Sequence, residues 1–393
     1  MERQIVRRPK NRRAQIKQVA SAQFYKSGYH DVTMESIAKE VGITVPGLYR
    51  HFDSKQALLD EVVHDEGADY RQTAVGSDAL PLAELAGRMI DRSVDRHGVA
   101  ALAYTHLREC SPAMAEQIRA AVVDNSRNLG AALHRERPEL SADDIRLLGR
   151  SMLTVCDSPA RYRTRVGAAR QARVVRAAVD RMSRLELSQA RRAGQAEPAV
   201  ADLPQVFGDG RREQILSAMV TLTRARGFHG VTMELLASTL SMAPSSLYNH
   251  FDSKEGVLKA ALSRIAGRMR RDLDDAIENS PADAVEVTMR NYVRLALAPD
   301  SPVPLLISEG KVLPRESRRE QVDHVTKWIE ILPGDPSESQ LRLHAALGIV
   351  NVIAQVESMR TRPHIIDDTV TMALAVLDVP RSDNAPGIVS AEA

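Results

Sequence analysis

The chain has 393 residues, of which 44% are apolar and 4% aromatic, and a formal net charge of +2. That length suggests two or three domains with ample core material, and the near-neutral charge excludes a polycation, so any nucleic-acid surface must be local. Two cysteines without paired spacing argue against a disulfide framework or zinc site. With no apolar signal core and no long apolar run, the expectation is a soluble, cytoplasmic protein that spans no membrane.

In chain order, residues 1–11 form a basic arm in which Arg7, Arg8 and Lys10 are continued by Arg12 and Arg13. The arm either lies along phosphates or in a minor groove, or is a solvated tail. Residues 12–63 read as a compact helical unit. Ile16, Val19, Ala20, Gln23 and Phe24 recur near helical spacing, and Gly28 stops that helix. Thr33 is placed to cap a second helix carrying Ile37, Ala38 and Val41. Gly42 then turns the chain into a short helix from about Thr44 to His51. Two short helices around a tight turn form a helix-turn-helix, whose second helix is the one that enters a major groove. Asp53 or Ser54 caps a fourth helix with Lys55, Leu58 and Leu59. Residues 64–192 are helix-patterned, with helices expected from Ser141 to Val155 and from Val166 to Leu187. Residues 193–210, with Pro198, Pro204, Gly208 and Gly210, read as a loose linker. A second compact unit, 211–263, and a second larger helical region, 264–379, follow, the latter with helices at Ser337–Met359 and Ile365–Leu377. Residues 380–393 have the composition of disorder. The fold class is all-α.

The two compact units are copies. Leu48-Tyr49-Arg50-His51-Phe52-Asp53-Ser54-Lys55 recurs as Leu247-Tyr248-Asn249-His250-Phe251-Asp252-Ser253-Lys254, and 19 of 48 positions from Arg12 to Leu59 are identical at a constant offset of 199. Such density marks a duplication. The larger regions echo each other weakly: Leu107-Arg108-Glu109 parallels Ile307-Ser308-Glu309, and Arg119 parallels Arg319.

The Thr33–Val41 helix, the Gly42 turn, Leu48-Tyr49, His51-Phe52 and Ser54-Lys55 resemble the N-terminal domain of the TetR family of transcriptional regulators. The resemblance covers about 48 residues in each copy, and the chain looks like the tandem TetR-type regulators of actinobacteria, some of which control lipid or steroid operons. It implies an all-helical fold: a three-helix DNA-binding head, then a divergent ligand and dimerisation domain. Family members are usually repressors that homodimerise on palindromic operators and release DNA when a small molecule binds. The expected partner is double-stranded operator DNA, with no cofactor.

Phosphate contacts should supply most of the affinity and base edges the specificity. Lys55 and Lys254, in the first turn of the fourth helices, suit a phosphate held with free helix amides, or are solvated charges. The resemblance implies backbone contacts from Tyr49 and Tyr248 and positioning by Thr33 and Thr232; the alternative for the tyrosines is core packing. Leu48, Phe52, Leu247 and Phe251 belong to the core. His51 and His250 contact phosphate or support the turn. Readout falls to the positions that differ: Thr44, Val45, Pro46, Gly47 and Arg50 in the first copy, and Ala243, Pro244, Ser245, Ser246 and Asn249 in the second. Arg50 suits guanine and Asn249 adenine, unless both touch only phosphates. Ser241 replaces Gly42 and Ala243 replaces the capping Thr44, so the second turn is expected to be strained or reshaped.

Tyr104, Leu107, Met114, Met289, Tyr292 and Trp328 are candidate walls of an effector pocket, or plain core. The low polar content favours a hydrophobic effector, acyl-CoA-like or steroid-like, a reading that rests on the resemblance. The last two helices of each unit should pair across the copies into an intramolecular pseudo-dimer reading a non-palindromic operator. The alternatives are a helical adaptor without DNA binding and a homodimer of tandem chains with four heads. An enzyme is disfavoured, because no phosphate-cradling loop, nucleophile elbow or metal-spaced cluster is present.

Overall fold

The computed structural model describes residues 12–73, 79–95, 107–162, 164, 166–187, 199–309 and 315–381. Every regular element among them is helical. The first unit comprises α1 (Arg12–Ser27), α2 (Met34–Val41), α3 (Val45–Tyr49), α4 (Lys55–Gln72), α5 (Leu82–Asp95), α6 (Pro112–Glu136), α7 (Ala142–Cys156), α8 (Ser158–Arg161) and α9 (Ala168–Ser183). The second comprises α10 (Arg211–Arg226), α11 (Met233–Thr239), α12 (Pro244–Tyr248), α13 (Lys254–Asn279), α14 (Ala284–Leu297), α15 (Val303–Ser308), α16 (Arg315–Glu330), α17 (Pro336–Gln355), α18 (Glu357–Arg360) and α19 (Ile365–Leu377).

Apolar residues at helical spacing close three separate cores. Ile16, Phe24, Ile37, Leu48 and Leu59 fill the first head. Ile215, Met219, Leu236, Leu247 and Leu258 fill the second. A third core runs without a break through both larger regions. The long fourth helix of each unit links head to body: α4 gives Leu58 and Val62 to its head and Tyr70 to the common core. Likewise α13 gives Leu258 to its head and Leu273 to the common core. The expected boundaries at 63/64 and 263/264 therefore fall inside continuous helices.

The common core is where the two copies meet. Helices α7 and α9 of the first unit pack on α17 and α19 of the second. Charged groups at the rim pair in a two-fold manner. Glu338, in the first turn of α17, takes Arg170 at 2.5 Å and Arg173 at 3.0 Å. Asp144, in the first turn of α7, takes Arg362, which also binds Asp368 at 3.0 Å. All three members of the latter group are buried. Arg181 closes the far end against Asp378 at 3.4 Å and the Ala375 carbonyl at 2.6 Å. Tyr162 stacks on His344 across the seam, ring centroids 4.5 Å apart.

The described part of the expected linker is not loose. Leu203 is buried in the common core and Phe207 in the second head. The Asp300 carboxylate accepts the Val206 and Phe207 amides at 2.7 and 3.2 Å. Its polar composition concealed two apolar anchors and a side-chain clamp. Residues 188–198 and 382–393, with the rest of that linker and nearly all of the expected tail, lie outside the described residues.

Candidate nucleic-acid interface

The two helix-turn-helix surfaces are built by the same local rules. Thr33 caps α2 by accepting the Ser36 amide at 3.1 Å, and Ser36 returns the bond to the Thr33 amide. Thr232 caps α11 through the Leu235 amide at 3.1 Å, without a return bond, because leucine stands where Ser36 does. In the first head Gly42 takes a left-handed conformation, φ 76°, and closes α2 through its amide. Ser241 takes it in the second head, φ 52°, the strained turn expected from the sequence. Thr44 then caps α3 through the Gly47 amide at 3.2 Å, whereas Ala243 offers α12 no side-chain cap.

Leu48 and Leu247 are buried and anchor each short helix to its head. The opposite faces are open. In the first head Thr44, Pro46, Tyr49 and Arg50 are exposed, while Val45 is half-buried against the head core. A Cβ on Gly47 would meet the capping Thr44 hydroxyl at 3.1 Å, so this glycine serves the cap. In the second head Ala243, Pro244, Ser245, Ser246, Tyr248 and Asn249 are all exposed. Tyr49 and Tyr248 are each 47% exposed, which rules out core packing.

Four residues assigned from the sequence to the DNA face make contacts within the head: Lys55, Lys254, Arg13 and Arg12. Lys55 Nζ does not point outward: it donates to the Tyr29 and Val32 carbonyls at 2.9 and 2.8 Å and lies 4.3 Å above the Tyr29 ring. Burial lowers its pKa. Lys254 repeats this with the Phe228 and Val231 carbonyls at 3.2 and 3.0 Å. Both lysines tie the loop after the first helix to the fourth helix, where the sequence suggested a phosphate contact or a solvated charge. Arg13 is likewise not part of a free arm. It lies over the Phe52 ring at 4.4 Å, donates to the His51 carbonyl and pairs with Glu61. Arg212 does the same with Phe251, at 4.0 Å, and the His250 carbonyl, at 2.8 Å. Arg12 bonds Gln15 at 2.9 Å, matched by Arg211 and Gln214 at 3.1 Å. The half-buried His51 and His250 thus serve the turn through their backbones. Arg7, Arg8 and Lys10 lie outside the described residues.

The effector candidates divide. Leu107 and Met114 pack into the first head's core, and Met289 is fully buried in the common core. Tyr104 lies outside the described residues. Tyr292 and Trp328 do line a cavity of about 10 Å³ with Asp272, Thr288 and His324. The Trp328 indole N–H, the Thr288 hydroxyl and both His324 ring nitrogens have no protein partner there. Burial lowers the His324 pKa and raises that of Asp272. The space is about that of one water molecule, and Met269 and Leu295 complete its lining.

The model of bacterial regulatory proteins of the tetR family matches residues 16–62 and again 215–261, the two heads just described. The chain carries two tetR-family DNA-binding domains in tandem. The HTH-type transcriptional repressor KstR2 of Mycolicibacterium smegmatis is 37% identical over 57 residues, which are 14% of this chain and 28% of that relative. The chain therefore matches just over a quarter of that relative's length. Among solved structures, PfmR of Thermus thermophilus aligns at 22% identity and a TM-score of 0.39, covering 44% of this chain and 98% of that one. AmtR of Mycobacterium smegmatis aligns at 21% and 0.36, covering 49% and 99%. A TetR-like regulator from Rhodococcus aligns at 17% and 0.34, covering 48% and 100%.

Proposed function

We propose that this TetR-family chain is a sequence-specific DNA-binding transcriptional repressor whose fused units act as an intramolecular pseudo-dimer on a non-palindromic operator. The observation that carries the reading is a pair of outward faces of different chemistry, α3 and α12, mounted on one shared core. Arg50 and Asn249 stand at the same register position, exposed, and their donor patterns suit guanine and adenine respectively. A homodimer encoded by one gene cannot vary its two reading helices separately; a duplicated chain can. Repression is supported by the KstR2 relative, itself a transcriptional repressor.

An acyl-CoA-like or steroid-like effector would need the body of the second unit to open around Tyr292 and Trp328, because the cavity there is far smaller than either ligand. Footprinting on the DNA upstream of the gene, followed by base-by-base substitution, tests the operator. Two unlike half-sites, bound by one 43.2 kDa chain in sedimentation, are expected. Preference for a perfect palindrome would overturn the asymmetric reading, two chains per site would favour four heads, and no binding at low salt would favour the adaptor.

A further inference from the structure

The two heads touch through the same residue. His30 and His229 stand at equivalent positions of the repeat, and their rings stack with centroids 3.6 Å apart and planes 29° apart. Each follows the first helix of its head and is braced by the aromatic before it: Tyr29 meets His30 edge-on at 5.4 Å, and Phe228 meets His229 at 5.8 Å. The surrounding carboxylates are also repeat-related. Glu109 Oε1 lies 3.3 Å from His30 Nε2. Glu309, its counterpart in the second unit, accepts a bond from the Phe228 amide. Arg108 breaks the symmetry: its guanidinium bonds the Thr223 carbonyl at 3.1 Å and the Arg224 carbonyl, at the C-terminal end of α10. Arg108, just before α6, thereby ties the first unit to the second head.

We infer that His30 and His229 are positioning residues, a proton-sensitive latch that sets the separation of the two reading heads and hence the half-site spacing the chain accepts. Neutral imidazoles stack without penalty. A single positive charge at the pair is balanced by Glu109 beside His30. Two imidazolium rings at 3.6 Å repel across a gap much shorter than the screening length of physiological salt. The other groups facing the pair are Asp31, Lys254, Glu309 and Arg108, with Asp60 and Lys55 behind Tyr29. Burial, then His30 and Lys254, lower the His229 pKa below its ordinary value, opposed by Glu109 and Asp31. The second proton therefore enters as the rings part, while the shared core and Arg108 keep the units joined. The spacing of the reading helices on a duplex must match the helical repeat, so a change in head separation is a change in site preference.

The latch is read on the free full-length chain, independently of DNA. Spin labels at Lys39→Cys and Ser238→Cys, exposed and equivalent positions on α2 and α11, report the head separation. Native Cys110 and Cys156 are buried and do not compete. Pulsed electron resonance should give a narrow distance at pH 8 and a longer, broader one at pH 5.5, with helicity by circular dichroism unchanged. The His30→Phe/His229→Phe chain should keep the narrow distance at both pH values. The His30→Lys/His229→Lys chain, doubly charged at both pH values, should show the long distance already at pH 8, where acid unfolding plays no part. A pH-independent distance in the parent, a pH response surviving in the phenylalanine double variant, or a short distance in the lysine double variant each overturns the latch. Its consequence rests on the proposed operator reading: affinity for a duplex selected at pH 8 should fall about tenfold at pH 5.5, an ordinary size for linked equilibria, and stay level in the phenylalanine double variant. A distance change without any duplex binding would sink the operator reading and leave the latch standing.

Discussion

Ser241 holds a backbone conformation that its counterpart Gly42 adopts at no steric cost. A left-handed residue with a Cβ is disfavoured by about 1–2 kcal/mol, and φ at Ser241 is 52°. Ser241→Gly should therefore raise the melting temperature of the second head, and Gly42→Ser should lower that of the first; no Cβ clash complicates the latter, since nothing lies within 4 Å of it. Lys55 supplies a second test. If its ammonium serves the Tyr29 and Val32 carbonyls, Lys55→Met should speed amide exchange in residues 28–33 and cost about 1–3 kcal/mol per lost charged bond. The slope of DNA affinity against salt should stay unchanged. A direct phosphate contact would instead lower that slope by about 0.9. The sequence identified the lysine but not its direction, because a charge at a helix start is equally compatible with an inward clip and an outward phosphate ligand.

At the scale of elements, the heads were the most legible part of the chain. Caps and turns are local, so Thr33, Thr44, Thr232 and, with Asp53 as its alternative, Ser54 could be assigned from sequence, and each accepts the amide that such a cap requires. The body helices expected near Ser141–Val155, Val166–Leu187, Ser337–Met359 and Ile365–Leu377 match α7, α9, α17 and α19 within a few residues, the last with no difference. What the pattern did not reveal is how closely they approach. A Cβ on Gly149 would lie 2.7 Å from the Ser126 carbonyl oxygen and 3.0 Å from the Gly130 amide, so α6 and α7 cross with backbones nearly touching. Neither backbone has a rotamer with which to yield. Gly149→Ala should destabilise the chain by about 1–3 kcal/mol, read as a lower urea midpoint with an unchanged slope.

For the whole molecule, the seam between the units brings titratable groups into the common interior. Burial lowers the His344 pKa to about 4 where the ring stacks on Tyr162. A base whose folded pKa lies below its unfolded value contributes stability fully above the unfolded pKa, near 6.5, and progressively less as pH falls toward the folded value. Stability should thus decline from about pH 6.5 to pH 4 by up to about 3 kcal/mol, and His344→Phe should flatten that slope; an unchanged slope would place the proton elsewhere. Glu338, whose pKa Arg170 and then Arg173 lower, loses its contribution further into acid, as pH falls through its depressed folded value. The sequence by itself determined that the chain is a helical duplication with two TetR-type heads and unlike reading helices, because repeats, caps and helical periodicity are written within short windows. Only the tertiary structure decided that Lys55 and Lys254 turn inward, that the linker is anchored at Leu203 and Phe207, and that His30 meets His229. Those facts depend on contacts outside any short window, from the Lys55 bonds within one head to the meeting of His30 with His229 across about two hundred residues, which no local pattern encodes.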